Sequence, residues 1–134
     1  MIYQEPKKYS REEVEKIILN NKFEMIPFML VGVALNEPDL NYAYSVITKS
    51  LDSPNIDIVG VSIICLAHLA RIHGNIYEDE TLIFLRKIIK SEIGKNSIIM
   101  GRIGDAAGDF SVYQPELYNR LIKEFPDYFK DLGF

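Results

Sequence analysis

Residues 51–74, LDSPNIDIVGVSIICLAHLARIHG, decide the fold. Pro54 removes a backbone donor and restrains the residue before it, while Asp52 and Asn55 offer side-chain oxygens to nearby backbone, so Leu51–Asn55 is a turn. Asp57 is then placed to cap a helix reaching about His73, with Gly74 and Asn75 as its stop. Within that helix IVGVSIICLAHLARI is apolar on nearly every side. A helix without a wet face must be packed on more than one flank. Its Ile and Val also suit a strand, but a central strand of that length needs partners, and no other stretch alternates with a clean period of two.

Helical patterns flank this segment on both sides. Upstream, Asp39 caps a helix in which Leu40, Ala43, Tyr44, Ile47 and Leu51 share one side. Downstream, Glu78, Asp79 and Glu80 stand at the front of another, where negative charge favours the unpaired N–H groups. Its stripe is Leu82, Leu85, Ile89 and Ile93, and Arg86, Lys87 and Lys90 face water. Gly94–Asn96 makes a turn, after which Ser97 is expected to cap the helix SIIMGRIGDAAGDF. Nearer the start, Ser10 and Glu13 form a capping box ahead of Val14, Ile17 and Ile18. FEMIPFMLVGVAL, from Phe23, reads as a helix beginning near Pro27. Pro115 opens ELYNRLIKEF, in which Leu117, Leu121 and Phe125 recur every four residues, and the C-terminal helix is expected over 115–131 with an end or kink at Pro126.

The middle of the chain repeats itself. Tyr44, Ile47 and Leu51 match Leu82, Leu85 and Ile89 at an offset of 38, and Ala67 and Ala70 match Ala106 and Asp109 at 39. Two helices per period of about 40 are expected of stacked helical repeats. At 134 residues the chain has the length of one domain, divided into an N-terminal hairpin 10–36, repeats 39–74 and 78–113, and the C-terminal helix 115–131.

Residues 51–74 resemble the turn and second helix of the HEAT-like helical repeat family. Asp52 and Pro54 stand where that family's turn has its aspartate and proline, Asp57 where an acidic cap precedes the second helix, and Val59 at its buried valine. Ile63, Leu66 and Ala67 resemble its apolar and small positions, whereas Gly60 replaces the arginine that follows the valine. A second copy covers residues 80–110 and ends in GRIGDAAGD. The resemblance implies an all-α fold, a right-handed α-α superhelix of about two and a half HEAT-like helical hairpins. Small, acidic, all-helical chains of this kind are also similar to immunity proteins of bacterial contact-dependent and other polymorphic toxin systems. That likeness implies a protein that binds a toxic nuclease domain and blocks it.

Composition bears on function independently. Fifteen Lys and Arg against nineteen Asp and Glu give a net charge of -4, which disfavours a nucleic-acid binder and favours a cationic protein partner. Residues 36–85 carry -5, from Glu37, Asp39, Asp52, Asp57, Glu78, Asp79 and Glu80 against Lys49 and Arg71. Because stacked repeats bring turns onto common edges, Asp52, Asp57, Glu78, Asp79 and Glu80 are expected to form an acidic rim that speeds encounter with a basic partner. Eight tyrosines and no tryptophan supply interface material, with Tyr77 and Tyr113 singled out by their place beside the linkers. The lone Cys65 forms no internal disulfide, and the N-terminal residues lack a signal peptide's apolar run, so the cytoplasm is the expected compartment. The uncharged run Met25–Asn36 is too short to span a bilayer, and no membrane role is expected.

The candidates for chemistry are sparse. Asp105 and Asp109, four apart, share a helical face and are the pair on which a metal site or an acid/base couple would rest. Cys65 and His68 can meet, but two ligands do not make a tetrahedral zinc site. Gly101, Gly104 and Gly108 lack the lysine and Ser/Thr of a phosphate loop and are expected to let their helix approach the Ile63–Leu66–Ala67 face. No enzyme, cofactor or metal is expected. The expected function is an immunity protein that covers the active site of a basic toxin, with Asp52, Asp57, Tyr77, Asp79, Glu80, Asp105, Asp109 and Tyr113 as partner-binding residues. The alternatives are a non-catalytic adaptor for another protein or peptide, and a small enzyme or metal binder using Asp105 and Asp109.

Overall fold

The computed structural model describes residues 6–134; the start of the N-terminal stretch read above for a signal peptide lies outside them. Among the described residues there are eight α-helices and no strand: α1 Arg11–Leu19, α2 Ile26–Asn36, α3 Leu40–Ser50, α4 Ile56–His73, α5 Glu78–Lys90, α6 Ser97–Tyr113, α7 Pro115–Glu124 and α8 Pro126–Asp131. A short 3-10 turn, Glu92–Lys95, joins α5 to α6.

Local chemistry sets most of the boundaries. Ser10 accepts from Glu13 N while the Glu13 carboxylate accepts from Ser10 N, which completes the capping box of α1. Asp39 caps α3 by accepting from Tyr42 N. Gly74 closes α4 in the left-handed conformation, φ +78°, which a side chain would strain. The caps of α4 and α6 differ from expectation. Asn55 and Asn96, rather than Asp57 and Ser97, sit in extended backbone ahead of these helices, and each side-chain oxygen accepts from two amides of the first turn. An N-cap must precede the helical residues; Asp57 and Ser97 already lie within them. The C-terminal helix is two helices, because Pro126 drives Phe125 out of the helical region, to φ -128° and ψ 57°.

α4 lies between α2 and α6 and packs more on these two than on α3. Of all the helices it alone, among the described residues, is long and apolar enough to cross a membrane, but 56% of it is buried inside the fold. Its least buried residues, Asp57, Val61, Ile64, His68, Arg71 and Ile72, form a narrow stripe of one helical phase. α6 has a wider open stripe containing Ile98, Arg102, Asp105, Asp109 and Val112. The buried positions of the two helices superimpose at an offset of 40, Val59, Ile63, Leu66, Ala67 and Ala70 on Ile99, Ile103, Ala106, Ala107 and Phe110. The offset of 39 read from the alanines is therefore off by one residue, and the offset of 38 between α3 and α5 holds. Extra residues are taken up in the 3-10 turn.

The glycines of α6 do not mediate its packing on α4. Gly101 and Gly108 have nothing within 4 Å of where a Cβ would stand, and Gly104 faces Leu132 and Phe134 of the C-terminal tail. The larger apolar residues of α6, Ile99, Ile103 and Phe110, are buried in the core. Close approach occurs at Gly60 of α4, where the aliphatic part of Arg102 covers the backbone.

Candidate functional site

The connections between helices lie at two edges. The turn edge holds Leu51–Asn55 and Ser91–Asn96, and the linker edge holds Glu37–Asp39, Gly74–Tyr77 and Gln114. At the linker edge the side chain of Gln114, itself buried, clasps the backbone of Ile76. Its Oε1 accepts from Ile76 N at 3.2 Å and its Nε2 donates to Ile76 O at 2.7 Å. Both polar groups of a buried linker residue are satisfied by one amide. Since the Gln114 side chain is engaged there, α7 starts without a side-chain cap, and α5, which follows Tyr77, has none either.

Between these segments lies a groove of about 670 Å³, lined by Leu40, Gly74 to Glu78 and Tyr113 to Glu116. Tyr77 is fixed in its wall: its ring stands edge-on to Tyr44, centroids 4.7 Å apart. Tyr44 is anchored in turn by a 2.8 Å hydrogen bond to Thr81, and burial pushes its hydroxyl pKa up to about 12. Tyr113 is more open, 39% exposed. Two carboxylates, Glu78 and Glu116, line the groove, and none of its lining residues is cationic. Arg120 of α7 holds Glu78 and Asp79 together, its Nη1 2.7 Å from each. Glu116 makes no ion pair among the described residues.

Tyr77 and Tyr113, chosen for their linker positions, are thus brought together, with Asp79 and Glu80 in the adjoining first turn of α5. The other expected residues lie elsewhere. Asp52 is at the turn edge, 3.4 Å from Lys87 near the far end of α5, and Asp57 is exposed in the first turn of α4. A 13-residue helix is roughly 20 Å long. Asp52 and Asp57 therefore do not share a rim with Asp79 and Glu80, because turns and linkers alternate between opposite ends of the helices.

Asp105 and Asp109 occupy the open stripe of α6. Asp109 acts on His68 of α4, whose pKa is held below its ordinary value by burial and by Arg71, against the opposing pull of Asp109. Among the described residues no three His, Cys, Asp or Glu side chains converge as a metal site would require. Cys65 is fully buried, and burial alone pushes its thiol up to about 12, far from a reactive thiolate.

Gln114, Glu116 and Arg120 were not among the residues singled out from sequence. One signal was available for Gln114: it lies 38 residues after Ile76, the same offset that relates α3 to α5. Arg86 and Glu124, also 38 apart, form a 2.9 Å pair between α5 and α7. Both contacts join groups 38 residues apart, while other long-range polar contacts, such as Tyr44–Thr81 and Arg120–Glu78, fall at offsets of 37 and 42.

No protein-family model matches the chain, and no curated protein matches it. Its fold is similar to that of a chain in the crystal structure of the CDI complex from Cupriavidus taiwanensis LMG 19424. The two share 20% sequence identity at a TM-score of 0.69, over 85% of this chain and 98% of that one. At that identity the likeness is one of fold.

Proposed function

We propose that this chain is a protein-binding immunity protein, acting in the cytoplasm, that neutralises a basic bacterial toxin domain, a nuclease, by covering its substrate site. The observation that carries this reading is the correspondence of its fold with nearly the whole of a chain found in a CDI complex. The linker edge supports it with a groove that joins two tyrosines to carboxylates. In this reading residues 1–134 form one domain, a right-handed α-α superhelix of about two and a half HEAT-like hairpins. Such stacks offer extended surfaces to partners.

The mechanism is steric and electrostatic. A nuclease surface that meets phosphates is cationic, and the acidic chain attracts it. Tyr77 and Tyr113 supply anchors that lose water on contact, with Asp79 and Glu80 beside them, while Asp52, Asp57, Asp105 and Asp109 add to the long-range field. Rim charges act mainly on association rate and its salt dependence, and buried aromatic anchors on dissociation.

The test is to capture the chain's partner from its native host, with the products of neighbouring genes assayed first, and to titrate the nuclease activity of any basic domain recovered with the chain. Stoichiometric loss of activity is expected, with growth rescue when the two are co-expressed. A tight complex in which the partner has no toxicity and no enzymatic activity would favour the adaptor function instead, and absence of binding would contradict both.

A further inference from the structure

We propose that the linker-edge groove receives an extended, arginine- or lysine-bearing segment of the partner, its main-chain carbonyls meeting the starts of α5 and α7 and its cation seated between Tyr113 and Glu116. The inference rests on the protein-binding reading above and names what enters the site.

Three properties of the groove select this occupant. The first is charge: no lining residue is cationic, and with Glu78 paired to Arg120 the open charge in the groove is the carboxylate of Glu116, which favours a cation beside it. The second is the backbone. α3, α4 and α6 are capped by Asp39, Asn55 and Asn96, whereas α5 and α7, both starting in the groove, have no side-chain cap. The unpaired N–H groups of a first turn seek an acceptor. A neutral peptide carbonyl supplies one without opposing the two carboxylates. The third is the aromatic wall. Tyr77 is held by Tyr44, so it loses little freedom on binding, and tyrosine faces attract guanidinium and ammonium groups. Arg120 leaves this charge unbalanced at Glu116, because its guanidinium is already shared by Glu78 and Asp79.

The experiment uses the full chain and two acetylated, amidated pentapeptides, Gly-Arg-Gly-Arg-Gly and its glutamine analogue, titrated at low salt and followed through backbone amide NMR. The arginine peptide is expected to shift amides within Ile76–Glu80 and Tyr113–Leu117, and the glutamine analogue to bind at least tenfold more weakly. Tyr113→Ala and Glu116→Gln alter exposed side chains; both are expected to keep the fold, checked by circular dichroism, and each to weaken arginine-peptide binding several-fold. Shifts spread equally over Asp52, Asp57 and the Asp105–Asp109 stripe, or binding indifferent to both variants, would overturn the inference. A basic toxin domain captured with the chain separates the two levels. If it binds both variants as tightly as the unaltered chain, the groove assignment fails and the immunity function stands. If it does not bind the unaltered chain while the peptide result holds, the immunity function fails and the groove assignment stands.

Discussion

The two edges of the helical stack are built differently from similar parts. At the turn edge the helix starts are capped locally, Asn55 and Asn96 each serving the helix that follows, and the distant ties there are peripheral: exposed Asp52 meets Lys87 at 3.4 Å, and Tyr128 OH donates to Gly94 O at 2.8 Å. At the linker edge the ties are long-range. Gln114 clasps Ile76 and Arg120 gathers Glu78 and Asp79, across separations of 38 to 42 residues. Local capping satisfies the backbone where it stands and leaves little to offer a partner. Long-range ties hold the linkers in place while two helix starts and two tyrosines stay available in a groove of about 670 Å³; the cleft at the turn edge, between Leu51–Ser53 and Ser91–Ile93, is about 340 Å³ and has neither.

The largest expected effect breaks the linker edge. Gln114→Leu leaves the N–H and C=O of Ile76 buried without partners and is expected to destabilise by about 2–4 kcal/mol in urea unfolding. Asn55→Ala or Asn96→Ala, each removing a local cap, should lose only about 1 kcal/mol. Equal losses at the two edges would dissolve the contrast drawn here.

A second pair of variants sharpens the turn edge. A Cβ at Gly94 would run into the carbonyl oxygens of Ile88 and Ile89, so Gly94→Ala should destabilise by about 1–3 kcal/mol through forced displacement. At Gly104 the nearest atom would be 3.8 Å away. Gly104→Ala is therefore expected to be neutral, or stabilising by up to about 1 kcal/mol from helix propensity. Thermal unfolding of the two proteins side by side checks the difference.

Acid should loosen the fold in two stages. His68 has its pKa lowered from 6.5, mainly by burial, so the folded state favours the neutral imidazole. The stability this contributes is complete above pH 6.5 and declines as pH falls through the lowered value. Glu13, Asp39 and Glu124 are held below their ordinary values by hydrogen bonds from Lys7, Arg11 and Arg86. Their contribution is present above about pH 4.5 and disappears below it as they take up protons. His68→Gln should remove the first stage of the stability-against-pH curve and leave the second.

The smallest effect is an absence of reaction. Cys65, with its thiol pushed up to about 12, should resist a thiol reagent in the folded protein at pH 8 and react fully in urea. Rapid labelling of the native chain would contradict its burial against the neighbouring helices.

Periodicity and punctuation made the helices legible. The apolar phases of α3, α4 and α5, the Ser10 box, the Asp39 cap and the Gly74 stop all follow from local chemistry and stand in the structure. What failed to read out was each helix's neighbour. The glycines of α6 share a helical face, but which face is covered depends on the neighbouring helices: Ile99, Ile103 and Phe110 are the buried ones, while Gly101 and Gly108 lie open and Gly104 faces Leu132 and Phe134. The acidic rim failed for a related reason, since alternation of turns and linkers separates charges that are close in sequence. Tyr77 and Tyr113 were legible because both adjoin linkers. Glu116 and Gln114 were hidden at a helix start that Pro115 already explained.

The most direct measurement is hydrogen exchange of the chain alone and bound to a basic nuclease domain captured with it. The account predicts added protection over Gly74–Glu80 and Tyr113–Leu117, with Leu51–Asp57 unchanged. Protection confined to the turn edge, with the linker edge exchanging as in the free protein, would contradict it.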